Sequence, residues 1–135
     1  MNITPHFIII CREAFTAAGT NNLSLINIFT QITADRFPLL FSRFALVANF
    51  DADTGGSHVL RTIILDPSGT QLTSTQVPVV TNAGNMQVIA NFEQLKFPVP
   101  GRYIFRIFLD DTALGERILE VKPVVARARQ NASVA

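Results

Sequence analysis

Cysteine is almost absent from this chain of 135 residues, and tryptophan is missing altogether. The single cysteine, Cys11, cannot form an intramolecular disulfide or a cysteine-based zinc cluster, and it fits a reducing compartment. The apolar run from Phe7 to Cys11 is too short for the core of a secretory signal. No stretch approaches the ~20 apolar residues that a transmembrane helix needs. We therefore expect a cytoplasmic protein that does not bind membranes.

Charged residues are scarce as well. They make up 16% of the chain, against about a quarter in a typical soluble domain, and the net charge is only +1. There is no basic cluster beyond Arg127 and Arg129, so the sequence lacks the electrostatic footprint of a protein that binds nucleic acid or anionic lipid. With so few charges the surface must carry more apolar area than usual, which favours self-association.

Motifs for catalysis are also missing. The chain has no phosphate-binding glycine loop, no Gly-x-Ser-x-Gly elbow and no evident pairing of Cys11 with either histidine, His6 or His58. Cys11 ends an apolar run, where a buried and unreactive thiol is expected. We expect that the protein is not an enzyme and that it needs no cofactor.

The sequence does contain a succession of short strand patterns. The clearest begins at Tyr103, where alternation places Tyr103, Phe105, Ile107 and Leu109 on one face, which we predict to lie in the core. The other predicted strands are Phe7–Cys11, Leu23–Thr33, Arg43–Phe50, His58–Leu65, Thr70–Val80, Met86–Glu93 and Ala113–Val121. About eight strands without a convincing amphipathic helix predict an all-β, antiparallel, immunoglobulin-like β-sandwich.

Turn and breaker residues refine this prediction. Asp66-Pro67-Ser68-Gly69 matches a type I turn, and Pro78 predicts an edge position for its strand. The apolar phase shifts after Phe92, which predicts a β-bulge near Glu93–Leu95. Tyr103 is expected to form a tyrosine corner, in which its hydroxyl bonds to nearby backbone.

The chain is predicted to form one β-sandwich domain over residues 1–123, followed by a flexible tail over residues 124–135, because the tail lacks a bulky core pattern.

Several segments carry a family resemblance. They are Phe7–Ala14, Leu23–Ile32, Phe37-Pro38, Leu65–Gly69 and Phe97–Tyr103. In this order the chain resembles a family of small uncharacterised bacterial proteins catalogued only as a domain of unknown function. The resemblance extends to about Val121 and implies a small stand-alone β-sandwich without an assigned reaction.

Four aspartates form the first candidate site. Asp51-Ala52-Asp53-Thr54-Gly55-Gly56 opens like a calcium-binding loop, although Thr62 stands where such a loop has its bidentate glutamate. If successive strands are antiparallel, the loops at residues 16–22, 51–57, 81–85 and 110–112 project from one end of the sandwich. Asp51, Asp53, Asp110 and Asp111 would then converge, which predicts a calcium or small-ligand site. The alternative is that these aspartates only form turns.

An apolar second face is the other candidate. Ile104, Phe108, Ala45 and Val47 alternate with the predicted core residues, although the outer face of a sandwich should be largely polar. An exposed apolar patch usually marks a partner surface. We therefore predict a non-catalytic interaction or scaffold module that uses this face to form a two-fold homodimer or to dock a cytoplasmic protein. The alternative function is ligand or calcium binding at the acidic loop end.

Overall fold

A computed structural model describes residues 2–20 and 22–124, which form strands and connecting loops. The strands are β1 (Ile3–Thr16), β2 (Leu23–Ile28), β3 (Gln31–Ala34), β4 (Leu39–Ala52), β5 (Gly56–Leu65), β6 (Gln71–Thr81), β7 (Gly84–Phe97), β8 (Gly101–Leu109) and β9 (Thr112–Pro123). The predicted flexible tail lies outside the described residues except for Val124, whose N–H donates to the carbonyl of Ala34.

The strands form two sheets. One has four strands in the order β2-β1-β4-β7, and the other has five in the order β3-β9-β8-β5-β6. All paired strands are antiparallel except β3 and β9, which are parallel. The predicted all-β sandwich with antiparallel strands is therefore confirmed. In the part of the chain that is described, no helix is long and apolar enough to cross a membrane.

One predicted strand is wrong in its extent. Residues 23–33 were expected to form a single strand, but the chain passes from one sheet to the other at Phe29 and Thr30. The N–H of Phe29 donates to the carbonyl of Ile10 in the four-stranded sheet, whereas the carbonyl of Thr30 accepts from Glu120 in the five-stranded sheet. The segment therefore supplies two strands, β2 and β3, to different sheets.

The core lies between the two sheets. The predicted core face of β8 is confirmed, since Tyr103, Phe105, Ile107 and Leu109 are all fully buried. At the centre, Phe44 of β4 stacks on Phe92 of β7 with ring centroids 4.9 Å apart, and both rings meet the edge or face of Phe105 from the opposite sheet. Such aromatic pairs contribute about 0.5–1.5 kcal/mol each beyond the area that they bury.

The predicted bulge near Glu93–Leu95 is wrong. β4 and β7 keep one register along their whole length, so neither strand carries an extra residue. The shift of the apolar phase is nevertheless real. Phe92 and Phe97 are both buried, although residues five apart on a regular strand point to opposite faces. Gln94, between them, has a φ of 55°, and this left-handed residue turns the strand without changing its register with β4.

Two smaller predictions are confirmed. The turn after β5 is closed by a hydrogen bond from the N–H of Gly69 to the carbonyl of Asp66, whose carboxylate also accepts from the N–H groups of Ser68 and Thr70. β6, which contains Pro78, is an edge strand.

Tyr103 forms the predicted corner. Its hydroxyl donates to the carbonyl of Val99 at 2.6 Å and accepts from the N–H of the same residue at 3.3 Å. Its ring packs edge-on against Phe97 with centroids 4.9 Å apart. The corner therefore holds the Pro98–Pro100 segment against the start of β8.

Replacing Tyr103 with Phe tests this role. The ring would keep its packing, while both backbone groups of Val99 would lose their partner. We expect the free energy of unfolding to fall by about 1–2 kcal/mol, measured by urea denaturation followed by circular dichroism. An unchanged denaturation midpoint would show that the hydroxyl contributes nothing to stability.

Candidate functional site

The loops after β4, β6 and β8 lie at the same end of the sandwich. Strand pairing requires this, because Ala52 pairs with Gly84, and Gly56 with Thr81. The start of β5 lies beside the end of β8, where the N–H of Asp110 donates to the carbonyl of Val59. The aspartates predicted as a site are therefore at one end, and their individual contacts decide whether they act together.

Asp51 belongs to a polar row across the outer face of the four-stranded sheet. Its carboxylate accepts from Nε2 of His6 on β1 at 2.9 Å and from the side-chain amide of Asn85 on β7 at 3.0 Å. Asn85 in turn exchanges two side-chain hydrogen bonds with Asn49. The hydrogen bonds from Asn85 and then His6 hold the pKa of Asp51 below its usual value.

Asp110 is held in a similar way on the other sheet. One carboxylate oxygen lies 2.6 Å from Nδ1 of His58, and the other accepts from the N–H of Val59 at 3.0 Å. These hydrogen bonds, that of His58 first, lower the pKa of Asp110. The carboxylate therefore ties the turn after β8 to the start of β5.

The four aspartates do not form one site. Asp53 accepts from the backbone N–H of Asn2 at 2.9 Å, and Asp111 lies exposed in the turn after β8. Within residues 2–20 and 22–124, no group of three or more His, Cys, Asp or Glu side chains is placed to hold a metal ion. Donors from elsewhere in the chain bind oxygens of Asp51, Asp53 and Asp110, each at a separate place.

The pair of His58 and Asp110 has the geometry of a base and its orienting carboxylate, and the sequence did not predict it. Nε2 of His58 is nevertheless buried and has no hydrogen-bond partner among the described residues. A methyl group added at Gly56 would lie only 3.0 Å from this nitrogen. Because Nε2 is enclosed, the ring is not placed to exchange a proton with a substrate.

The outer face of the four-stranded sheet is largely covered by the chain itself. Beyond Cys11, β1 and β2 form a hairpin whose side chains Ala14, Leu23 and Leu25 pack against Cys11, Ala45 and Val47. Ala45 and Val47 are both 0% exposed. The prediction that these two residues lie at an interface is wrong, because the hairpin of the same chain buries them.

The outer face of the five-stranded sheet is different. We call its apolar and charged surface the exposed sheet face. It consists of Val59, Arg61, Ile63, Leu65, Arg102, Ile104, Arg106, Phe108, Glu116 and Ile118. Ile104 lies directly between Leu65 and Ile118 on the neighbouring strands. None of these apolar side chains belongs to either hydrophobic cluster of the described residues. Ile104 and Phe108, both predicted interface residues, are half-buried at the centre of this face.

The exposed sheet face carries three arginines, and two glutamates of β9, Glu116 and Glu120, lie opposite Arg106 and Arg102. Arg106 pairs with Glu116 at 2.9 Å, whereas Arg61 and Arg102 take part in no ion pair within the described part of the chain. The Arg61 guanidinium lies over the Phe108 ring at 5.0 Å, and its buried Nε has no hydrogen-bond partner there. Arg61 is therefore held in place by an aromatic ring and still has an unused donor.

A cleft of about 490 Å³ opens on one side of the sandwich, between β1 and β9. β2 pairs with β1 only from Cys11 onward, and β3 pairs with β9 only from Glu120 onward, which leaves the intervening edges apart. Nε of Arg117 donates to the carbonyl of Ile8 across this gap. The sequence carried no signal for the cleft, since it depends on where two short strands stop.

The matching family model is described as a family of unknown function (DUF6941), and it covers residues 6–122. The chain belongs to this family. No curated protein sequence matches it.

Three solved structures illustrate the likeness of this fold to known proteins. The alkylpurine DNA glycosylase AlkC of Pseudomonas fluorescens, bound to DNA containing an abasic site analog, matches with a TM-score of 0.54 at 12% identity, over 89% of this chain and 30% of that one. The C-terminal domain of wzt matches with a TM-score of 0.51 at 16% identity, over 91% of this chain and 75% of that one. An immunoglobulin-like protein of Pseudomonas aeruginosa matches with a TM-score of 0.49 at 17% identity, over 90% of this chain and 97% of that one. The chain thus spans under a third of the glycosylase, and these likenesses concern the fold alone.

The carboxylate of Asp110 should make the stability of this DUF6941 protein depend on pH. A folded pKa below the unfolded value stabilises the protein above the unfolded pKa, and the effect is lost as the pH falls through the folded pKa. We expect Asp110→Asn to be less stable than the wild type at about pH 7, and the difference to be smaller at about pH 3, because the unfolded carboxyl is then largely protonated while the folded one still resists protonation. Urea denaturation at both pH values measures this. Asp111→Asn, at the next position, is the matched control, and an Asp110→Asn difference independent of pH would contradict the assignment.

The covering hairpin gives a second prediction. Leu25→Ala removes a half-buried side chain that packs on the four-stranded sheet, and we expect it to lower the free energy of unfolding by about 1–2 kcal/mol. Ile26 points to the other side of the same strand and is 41% exposed, so Ile26→Ala should change stability by less than about 0.5 kcal/mol. Equal effects of the two substitutions would mean that the hairpin does not pack on the sheet.

Proposed function

We propose that this protein is a non-catalytic interaction module that docks another protein on the exposed sheet face. The observation that carries the proposal is an asymmetry between the two sheets. The hairpin of β1 and β2 covers apolar side chains on one outer face, while the apolar side chains on the other outer face, Ile104 and Phe108 among them, have no such cover in the described chain. Contiguous apolar side chains left on a protein surface usually mark a partner site.

Charge favours a different protein over a second copy at this face. β8 is the central strand of its sheet and carries Arg102 and Arg106, and Arg61 lies on the adjacent strand. Two-fold packing of this face on itself would bring arginines near the axis against their own copies, and like charges across an interface are costly. A partner surface that is apolar and carries carboxylates would avoid this repulsion.

Arg61 is the residue to which such a carboxylate would bind. Its guanidinium rests on Phe108, so part of its conformational freedom is already lost before binding. Its positive charge pairs with no carboxylate in the described residues, and a carboxylate of the partner would supply one. Arginine and aromatic residues are also the types that most often dominate binding energy.

The other functions have weaker support. Catalysis would need an accessible acid or base. Asp110 orients His58 through Nδ1, but the other ring nitrogen of His58, Nε2, is buried. Calcium binding would need Asp51 and Asp110 to give up the hydrogen bonds of His6 and His58. We place the protein in the cytoplasm because its single cysteine is a free thiol.

Capture from a lysate of the native cell, quantified by mass spectrometry, tests the proposal. Partners retained by the wild type should be reduced about tenfold or more by Phe108→Asp and by Arg61→Glu, because one buries a charge in the apolar contact and the other reverses the charge that meets the partner. Leu40→Asp is the matched control: Leu40 is 55% exposed on β4 of the other sheet, and its replacement should leave capture unchanged. Melting temperatures establish that each variant is folded.

Two outcomes would contradict the proposal. One is a set of partners retained equally by the wild type and Phe108→Asp. The other is a wild-type protein that retains no partner even after cross-linking in the cell.

A further inference from the structure

The first nine residues of β7, Gly84–Phe92, lack the proline and charged residues that usually protect a free edge against pairing with another strand. β7 runs from Gly84 to Phe97 and pairs with β4 on one side only. On its other side no strand of the described residues pairs with it. From Gly84 to Phe92 the strand contains no proline and no charged residue, and its register with β4 is unbroken. A long, regular and uncharged edge is a template for strand addition.

The other edges of the two sheets are protected. β6 carries Pro78, which cannot donate a ladder hydrogen bond. The unpaired part of β1 contains Pro5 and an irregular register just after it, and Arg117 already occupies the carbonyl of Ile8. β9 has a register shift and is paired at its end by β3. β2 and β3 are only six and four residues long. Among these edges, only Gly84–Phe92 of β7 is both long and without proline or charge.

We infer that β7 pairs in antiparallel fashion with β7 of a second copy, which joins the two four-stranded sheets into one continuous sheet. A two-fold axis perpendicular to the sheet at Val88 would align the uncharged stretch Gly84–Phe92 with itself. Paired residues then lie on the same face, so the buried residues Val88, Ala90 and Phe92 would extend the inner face across the dimer.

A second copy fits this edge because the edge complements itself. The uncharged stretch brings no like charges together across the axis, and Asn85 would lie opposite Asn91 of the second copy. The net charge of +1 adds little long-range repulsion between copies. Backbone groups along the edge would gain partners in the same pattern that β4 and β7 already use.

This inference does not rest on the proposed function. β7 lies in the four-stranded sheet, and the exposed sheet face belongs to the five-stranded one. An edge dimer would therefore leave both copies of that face open.

Light scattering after size-exclusion chromatography, at micromolar concentration, tests the dimer. The wild type should have twice the monomer mass. Asn91→Lys should be monomeric, because its exposed side chain lies within the stretch that would pair and lysine on an edge opposes pairing. Gln76→Lys places the same charge at an exposed position of the β6 edge and should remain dimeric, as should Phe108→Asp. Melting temperatures check that all variants are folded.

Hydrogen exchange provides a second readout that does not depend on any variant. Amides from Asn85 to Phe92 should exchange several-fold more slowly at the concentration where the dimer forms than in dilute solution, while amides of β6 should not change. A monomeric wild type, or a dimer without concentration-dependent protection of β7, would overturn the inference. A dimer that Phe108→Asp dissociates and Asn91→Lys leaves intact would place self-association on the exposed sheet face instead, and would also contradict our choice of partner for that face.

Discussion

The passage of the chain between sheets at Phe29 and Thr30 is the constraint on which the rest of the surface depends. Adjacent residues bond to opposite sheets there, one to Ile10 and the other to Glu120. β2 lies before this point, and its hairpin with β1 packs on the outer face of the four-stranded sheet. Because β3 begins there, it pairs in parallel with the end of β9. The same crossing therefore decides which face is covered and which edges are left open.

Local patterns in the sequence predicted most of the fold. Alternation identified the buried face of β8 from Tyr103 to Leu109, and proline and turn residues located the edge strand β6 and the turn at Asp66. The pattern failed between residues 23 and 33, since alternation continues through Phe29 and does not reveal a change of sheet. It also failed at Gln94, because an apolar phase shift has the same appearance whether the strand gains a residue or turns through a positive φ.

The candidate sites were harder to predict because they depend on contacts between distant residues. The aspartates were placed at one end of the sandwich from strand parity alone, but their partners His6 and His58 lie on other strands, and no spacing rule connects them. Ala45 and Val47 have the same alternation as Ile104 and Phe108. What distinguishes the two pairs is the hairpin, which packs on Ala45 and Val47 and not on the other sheet.

The two proposed contacts use different parts of the molecule, so each copy could make both at once. Pairing of β7 edges joins the four-stranded sheets, and the exposed sheet face of each copy belongs to the five-stranded sheet. A dimer of this kind would present two equivalent faces in a fixed geometry. If a partner also carries two copies of the matching surface, the second contact becomes intramolecular, and the apparent affinity could rise by a factor of about 10²–10⁴ without any new contact. A weak, half-buried patch around Ile104 and Phe108 would then be sufficient for stable association.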